Sequence, residues 1–186
     1  PPDPVQSQAP AEVGELLGRI HRLPRLHPRL DLAERIIRLE KTLAQRGEAI
    51  PHLMAGLRGR VFSLLDTLRS QEQSITLCHN DLLAANRLRS GGMLWALDWE
   101  YCAMGSPWYD LAVVTCGDSL GEAETTDLVQ ACLGRPPRAE DLARLADYCR
   151  VYRYLELLWY LALRKETEAG FVEQRAAALA DAWTAP

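Results

Sequence analysis

Apolar residues recur every three or four positions through most of this chain, and that spacing predicts helices. Val13, Leu16, Leu17 and Ile20 share one face of a helix from about Ala11 to Leu23, which Pro24 ends. Leu32, Ile36, Leu39 and Leu43 form the stripe of a second helix, Leu32 to Gln45, with Gly47 as its stop. A third covers Pro51 to Arg69, with Leu53, Leu57, Val61, Leu64, Leu65 and Leu68 inward. Helical pattern resumes after Pro107, through Asp110–Thr115, and again over Ala123–Leu133. The last long helix runs from Asp141 to Lys165 and is apolar over most of its circumference, which predicts a central position.

Between the third helix and Pro107 the period shortens. Ile75–Cys78 is a short apolar run, and Arg87–Arg89 and Met93–Trp99 flank Ser90-Gly91-Gly92. Two short runs around such a turn predict a β hairpin. The fold class expected is mainly α with a small β hairpin, α+β overall. Residues 1–10, PPDPVQSQAP, read as a linker or disordered arm. The rest divides into a helical part (11–70), the hairpin region (75–112) and C-terminal helices (123–186).

Composition narrows the class. With 186 residues, 48% hydrophobic and 25% charged, the chain can build one sizeable core. A net charge of -4 and a pI near 5.6 speak against a nucleic-acid coat or an anionic-membrane binder. Arg19, Arg22, Arg25 and Arg29 cluster with His21 and His27, which reads as a solvated helix face and turn. Five widely spaced cysteines without a C-x-x-C pair are neither a disulfide framework nor a zinc site. Reduced thiols and the absence of a membrane-length apolar run predict a cytoplasmic protein.

The hairpin region carries more polar chemistry than a hairpin needs. His79-Asn80-Asp81 follows the first apolar run, Asn86 comes five residues after Asp81, and Asp98 closes the return strand. A hairpin returns the end of its second strand to the start of its first, so Asp81, Asn86 and Asp98 can converge. Two carboxylates and an amide oxygen suit Mg²⁺, which takes few protein ligands and leaves room for phosphates.

His79-Asn80-Asp81-Leu82-Leu83-Ala84-Ala85-Asn86 resembles the H-x-D-x-x-x-x-N catalytic loop of the aminoglycoside phosphotransferase and choline kinase superfamily. Ala96-Leu97-Asp98-Trp99-Glu100-Tyr101 is similar to its metal-binding segment, and Gly105–Ala112 to the G-x-x-x-x-D-L-A element that follows. More loosely, Leu16–Pro24 resembles the L-x-x-L-H-x-L-P helix end of the family, and Tyr152–Trp159 its helix beneath the active site. The resemblance implies the C-terminal lobe of a protein-kinase-like fold and an ATP- and Mg²⁺-dependent phosphotransferase acting on a small-molecule alcohol. By the same token Asp81 would orient the acceptor hydroxyl and accept its proton, while Asn86 and Asp98 would hold Mg²⁺ against the phosphates of ATP. His79 would brace the loop, and Asp110 would hydrogen-bond it from behind. Taken singly, Asp81 fits a turn or cap, Asn86 a turn and Asp98 a cap. Their joint spacing favours the catalytic loop. His79 reads better as a structural histidine than a proton shuttle, and Asp110 as an N-cap or loop brace. His21, His27 and His52 show no partner pattern and read as surface or packing residues.

His-Asn-Asp and Asp-Trp-Glu-Tyr lean toward choline, ethanolamine and thiamine kinases. A cationic acceptor would want ring faces and a carboxylate, for which Glu100, Trp99, Tyr152 and Trp159 are candidates; aromatics at helical spacing are equally at home in a core. Aminoglycoside or sugar kinase is the alternative within the superfamily, and a non-enzymatic scaffold derived from the lobe the alternative outside it. The sequence contains no Gly-rich phosphate loop, strand lysine or partner glutamate helix. The expectation is therefore a catalytic lobe whose N-terminal ATP-binding lobe is absent from this chain, and which is inactive alone. Neither nucleic acid nor membrane is expected as a partner.

Overall fold

The computed structural model describes residues 8–25, 28–72, 74–163 and 169–184. Among the described residues seven α-helices and four short strands follow the order α1 (Pro10–Ile20), α2 (Leu32–Gln45), α3 (His52–Ser70), β1 (Thr76–Cys78), β2 (Arg87–Ser90), β3 (Met93–Ala96), β4 (Ala103–Gly105), α4 (Pro107–Gly117), α5 (Glu122–Leu133), α6 (Ala139–Leu163) and α7 (Ala169–Thr184). This is the mainly helical fold with a small antiparallel β component that the residue pattern implied. Residues 1–7 of the expected arm, His27 and the expected helix end at Lys165 lie outside the described residues, and Pro10, the last residue of that arm, opens α1 instead. Among the described residues no helix is long and apolar enough to cross a membrane.

The chain forms two compact units. Pro1–Leu30 and Gln73–Tyr148 make the first; Asp31–Glu72 and Cys149–Pro186 make the second.

In the first unit α1 packs along α5. Val13, Leu16, Leu17 and Ile20 are buried, as are Leu128 and Val129 opposite. Gly14 permits this approach: a Cβ there would stand 2.9 Å from the Cβ of Ala131 and closer still to the carbonyl oxygen of Leu128. α1 ends at Ile20, earlier than expected, because His21 already caps it with its own N–H. Pro24 is three residues late to be the stop. β2 and β3 pair antiparallel from Arg87↔Ala96 to Ser90↔Met93, with Gly91 and Gly92 at φ +58° and +76° in the turn. Glycine takes such angles at no steric cost, which suits two of them in succession.

β1 does not pair with the hairpin. It joins β4, from Thr76↔Gly105 to Cys78↔Ala103. Sequence reading saw the β1 run but not β4, whose three residues carry no alternation. The segment before α2 reinforces β4: Met104 N–H donates to Pro28 O (3.0 Å) and Leu30 N–H to Met104 O (2.8 Å). α4 packs on β1 and is buried nearly all round, from Trp108 to Val114. These contacts fix both ends of the segment between β1 and α4.

In the second unit α2 packs on α3, and Ile36, Leu39, Leu43, Met54, Leu57, Val61, Leu65 and Leu68 of the two helices are buried. Met54 is fully buried where Leu53 was expected to lead, and Leu53 and Leu64 are half-buried. Tyr154, on the part of α6 that belongs to this unit, is fully buried. Burial pushes its hydroxyl up to about 12, helped by Glu40 and opposed by Arg58. Arg58 in turn grips Glu40 with two hydrogen bonds, 2.9 and 3.1 Å.

Candidate active site

Cys78 ends β1, and the chain then turns through His79 and Asn80 rather than continuing as a strand. Asn80 sits at φ +64°, a left-handed conformation that asparagine tolerates better than most residues. Its side-chain amide holds the turn, donating to Cys78 O (3.3 Å) and Tyr101 O (3.0 Å). Asp110, fully buried in the first turn of α4, completes the frame. Its Oδ2 accepts from His79 N–H at 2.9 Å and its Oδ1 from Asn80 N–H at 2.6 Å. His21 Nε2 meets Oδ2 from a third side at 3.0 Å. The N-cap of α4 is Ser106, so Asp110 braces the loop without capping the helix.

Sequence reading had left His21 as a surface or packing residue. The structure corrects this: its side chain is 9% exposed and it is a direct partner of Asp110. Its other nitrogen lies 3.8 Å from Cys132 Sγ. The partners are 89 positions apart in the chain, which is why no local pattern revealed them. Asn80 was also missed; the only local sign was an asparagine at a strand end.

The loop so framed presents Asp81. A 3₁₀ turn over Ala84–Asn86 brings Asn86 back, and its amide donates twice to Asp81, to the carbonyl oxygen at 2.8 Å and to Oδ2 at 2.9 Å. With the NH₂ group so used, the Oδ1 of Asn86 is the atom left to accept or to bind a cation.

Asp98 is joined to this pair through the backbone beside it. Leu97 N–H donates to Asn86 O at 2.9 Å, and His79 Nε2–H donates to Leu97 O at 2.8 Å. That bond fixes the proton of His79 on Nε2 and points it at a carbonyl, so the ring is a brace. Trp99 packs on it with centroids 4.9 Å apart and donates its indole N–H to Ala96 O at 3.1 Å. Asp98 itself stands at φ +58°, at the start of the 3₁₀ turn Trp99–Tyr101, and its carboxylate does not cap that turn. It is exposed and makes no hydrogen bond or ion pair among the described residues. A left-handed aspartate is uncommon, and this one leaves its carboxylate free.

Arg87, the residue after Asn86, anchors the hairpin base. Its guanidinium is buried and binds both carboxylate oxygens of Asp118 at the end of α4, at 2.8 and 2.6 Å. On the opposite face of the hairpin Leu88 and Trp95 are direct cross-strand neighbours, 36% and 50% exposed. Glu100 is exposed two positions beyond Asp98 and has no partner among the described residues. Tyr152 and Trp159 belong to the second unit. There Tyr152 donates its hydroxyl to Glu156 (3.3 Å), and Trp159 meets Tyr160 edge-on at 5.1 Å.

This fold recurs in solved small-molecule kinases. A choline/ethanolamine kinase family protein from Mesorhizobium loti superposes with a TM-score of 0.85 at 23% identity, over 95% of this chain and 63% of that one. Choline kinase LicA from Streptococcus pneumoniae gives 0.79 at 23%, over 94% and 62%. An aminoglycoside 2'-phosphotransferase-IIIa bound to GDP gives 0.60 at 14%, over 95% and 63%. The chain thus spans a little over three fifths of the length of these structures. No protein of curated function matches the sequence. Residues 1–158 match the profile of the phosphotransferase enzyme family. The chain belongs to that family.

Proposed function

We propose that this chain is the catalytic lobe of an ATP- and Mg²⁺-dependent phosphotransferase that phosphorylates the hydroxyl of a small molecule of the choline, ethanolamine or thiamine kind. The observation that carries the reading is the lock between Asn86 and Asp81. One amide orients the Asp81 carboxylate and at the same time turns its own oxygen outward. Asp81 then orients the acceptor hydroxyl and takes its proton as the oxygen attacks phosphorus. The donor set fits Mg²⁺: Asn86 Oδ1 and the free Asp98 carboxylate are hard oxygens, few enough to leave positions for phosphate. When bound, the ion would screen the phosphate charges. His79 and Asp110 act on the loop backbone only and are positioning residues.

The exposed Leu88–Trp95 face lies next to Asn86 in the same hairpin and offers a flat apolar surface for a nucleotide base. For the acceptor the support is the unpaired carboxylate of Glu100, which suits a cationic substrate. Trp99 is engaged with His79 and serves the loop instead. The five cysteines are free, as suits a cytoplasmic protein.

The test is phosphate transfer from Mg·ATP to choline, ethanolamine, thiamine, kanamycin and glucose, using the longest coding sequence that contains these residues. A choline-, ethanolamine- or thiamine-class product is expected, with Asp81→Asn slower by about 10²–10⁴-fold. Preference for kanamycin or glucose would move the protein to the aminoglycoside or sugar side. Undiminished transfer by Asp81→Asn would refute the catalytic assignment. The 186 residues alone are expected to be inactive, because their sequence holds no Gly-rich loop or strand lysine. Mn²⁺ titration of this chain adds a readout independent of turnover: weak binding should disappear in Asp98→Asn. Failure of both experiments would leave the scaffold reading.

A further inference from the structure

The first unit contains a pocket of about 340 Å³ that none of Asp81, Asn86 and Asp98 lines. Its walls come from the end of α1, the approach to β1, the start of α4, the end of α5 and the start of α6. Three arginines, Arg22, Arg135 and Arg144, face one carboxylate there, that of Asp141. The lining is therefore formally +2, three charges against one, in a chain whose net charge is -4.

The arginines are not equivalent. Arg135 is held by Asp141 at 2.7 and 3.1 Å, and Asp141 also accepts from Arg138 N–H at 2.8 Å. Asp141 thus has its charge answered locally. Arg22 and Arg144 have no acidic partner among the described residues. The guanidinium of Arg144 lies 6.0 Å over the ring of Trp108. Arg22 reaches the pocket across Gly18, where an added Cβ would stand 3.5 Å from its Nη1. Arg22, in the turn after α1, and Arg144, on α6, line the same pocket, and an anion bound between two guanidiniums removes their mutual repulsion. Ser74 and Thr76 add hydroxyls to the lining, that of Thr76 also meeting Cys78 Sγ at 3.6 Å.

We propose that this pocket is a second ligand site and that it takes a small phosphomonoester. Its volume is at the lower end for metabolite sites. Two guanidinium forks without an acidic partner offer more donors than the two oxygens of a carboxylate can use, whereas a phosphomonoester presents three oxygens and close to two charges. The pocket also touches the catalytic frame. His21 forms part of its wall and bonds Asp110, which holds the backbone of His79 and Asn80. An occupant would sit one side chain away from that frame. The inference rests on the geometry of the first unit and stands whether or not the chain transfers phosphate.

Isothermal titration of this chain with glycerol 3-phosphate tests it, with inorganic phosphate, glycerol and succinate as comparisons. Saturable sub-millimolar binding of glycerol 3-phosphate is expected, with no binding of glycerol. The double variant Arg22→Gln/Arg144→Gln should weaken it at least about tenfold. Arg38→Gln, which removes an exposed charge on α2, should leave it unchanged. Arg144→Lys should fall between, since it keeps the charge and loses the fork. Circular dichroism verifies that each variant is folded, and Arg144→Lys keeps a cation beside Trp108 where the glutamine variant does not. Absence of saturable binding, equal affinity in the double variant, or succinate binding as tightly as glycerol 3-phosphate would each overturn the proposal.

Discussion

Asp110 shows how much a single buried carboxylate organises here. It is fully buried and receives His79 N–H, Asn80 N–H and His21 Nε2. Asp110→Asn replaces one acceptor oxygen with an NH₂ that faces another donor. A loss of about 2–4 kcal/mol in stability is expected, read from the urea midpoint. The same substitution should abolish Mn²⁺ binding less completely than Asp98→Asn, because it loosens the loop without removing a ligand. At this scale the sequence showed Asp81, Asn86, Asp98 and Asp110 by type and spacing, helped by the family resemblance. It did not show His21, since a lone histidine at a helix end has nothing nearby to mark its partner. Nor did it show that Trp99 would pack on His79, because ring stacking depends on two turns meeting.

Among the elements, α1 and α5 depend on Gly14. Gly14→Ala puts a methyl group against the Leu128 carbonyl, which is backbone and cannot step aside. Destabilisation by about 1–3 kcal/mol or more is expected, measured as a lowered thermal midpoint. The start of α6 carries a pH-dependent element. The hydrogen bonds of Arg135 hold the Asp141 carboxyl below its ordinary value of 3.8, with Arg138 N–H adding to the effect. The folded state therefore binds that proton more weakly than the unfolded chain does. Its stabilisation is complete above the ordinary aspartate range and is lost as pH falls through the lowered value. Asp141→Asn should cost about 1 kcal/mol at neutral pH, in line with a helix-start hydrogen bond and a partly exposed ion pair. The gap between variant and parent should close in acid, followed by urea unfolding across the pH range. The helices were legible because 3.6-residue periodicity marks a buried face without reference to the partner. β4 was not, because a three-residue strand is defined by what it pairs with.

Across the whole molecule, the thiols respond to burial rather than to their number. Burial raises the Cys78 thiol well above its usual range, and it pushes that of Cys132 up to about 12. Both should resist iodoacetamide at pH 8 in the native protein, with all five cysteines labelled in denaturant, as counted by mass spectrometry. Cys132 is half-buried and lines the pocket of the first unit, so its resistance tests the raised value, and rapid native labelling there would contradict it. The division into two units illustrates the limit of reading along a chain: each is assembled from two separate stretches, and α6 contributes to both. The sequence by itself determined the helical class, the hairpin and its Gly91-Gly92 turn, and the candidate site residues, because periodicity, turn geometry and side-chain type are local properties. Only the tertiary structure decided that β1 pairs with β4, that His21 reaches Asp110, and that Arg22, Arg135 and Arg144 share one pocket. Those outcomes depend on which distant surfaces pack together, and packing is settled by the summed burial of the whole chain rather than by any one segment.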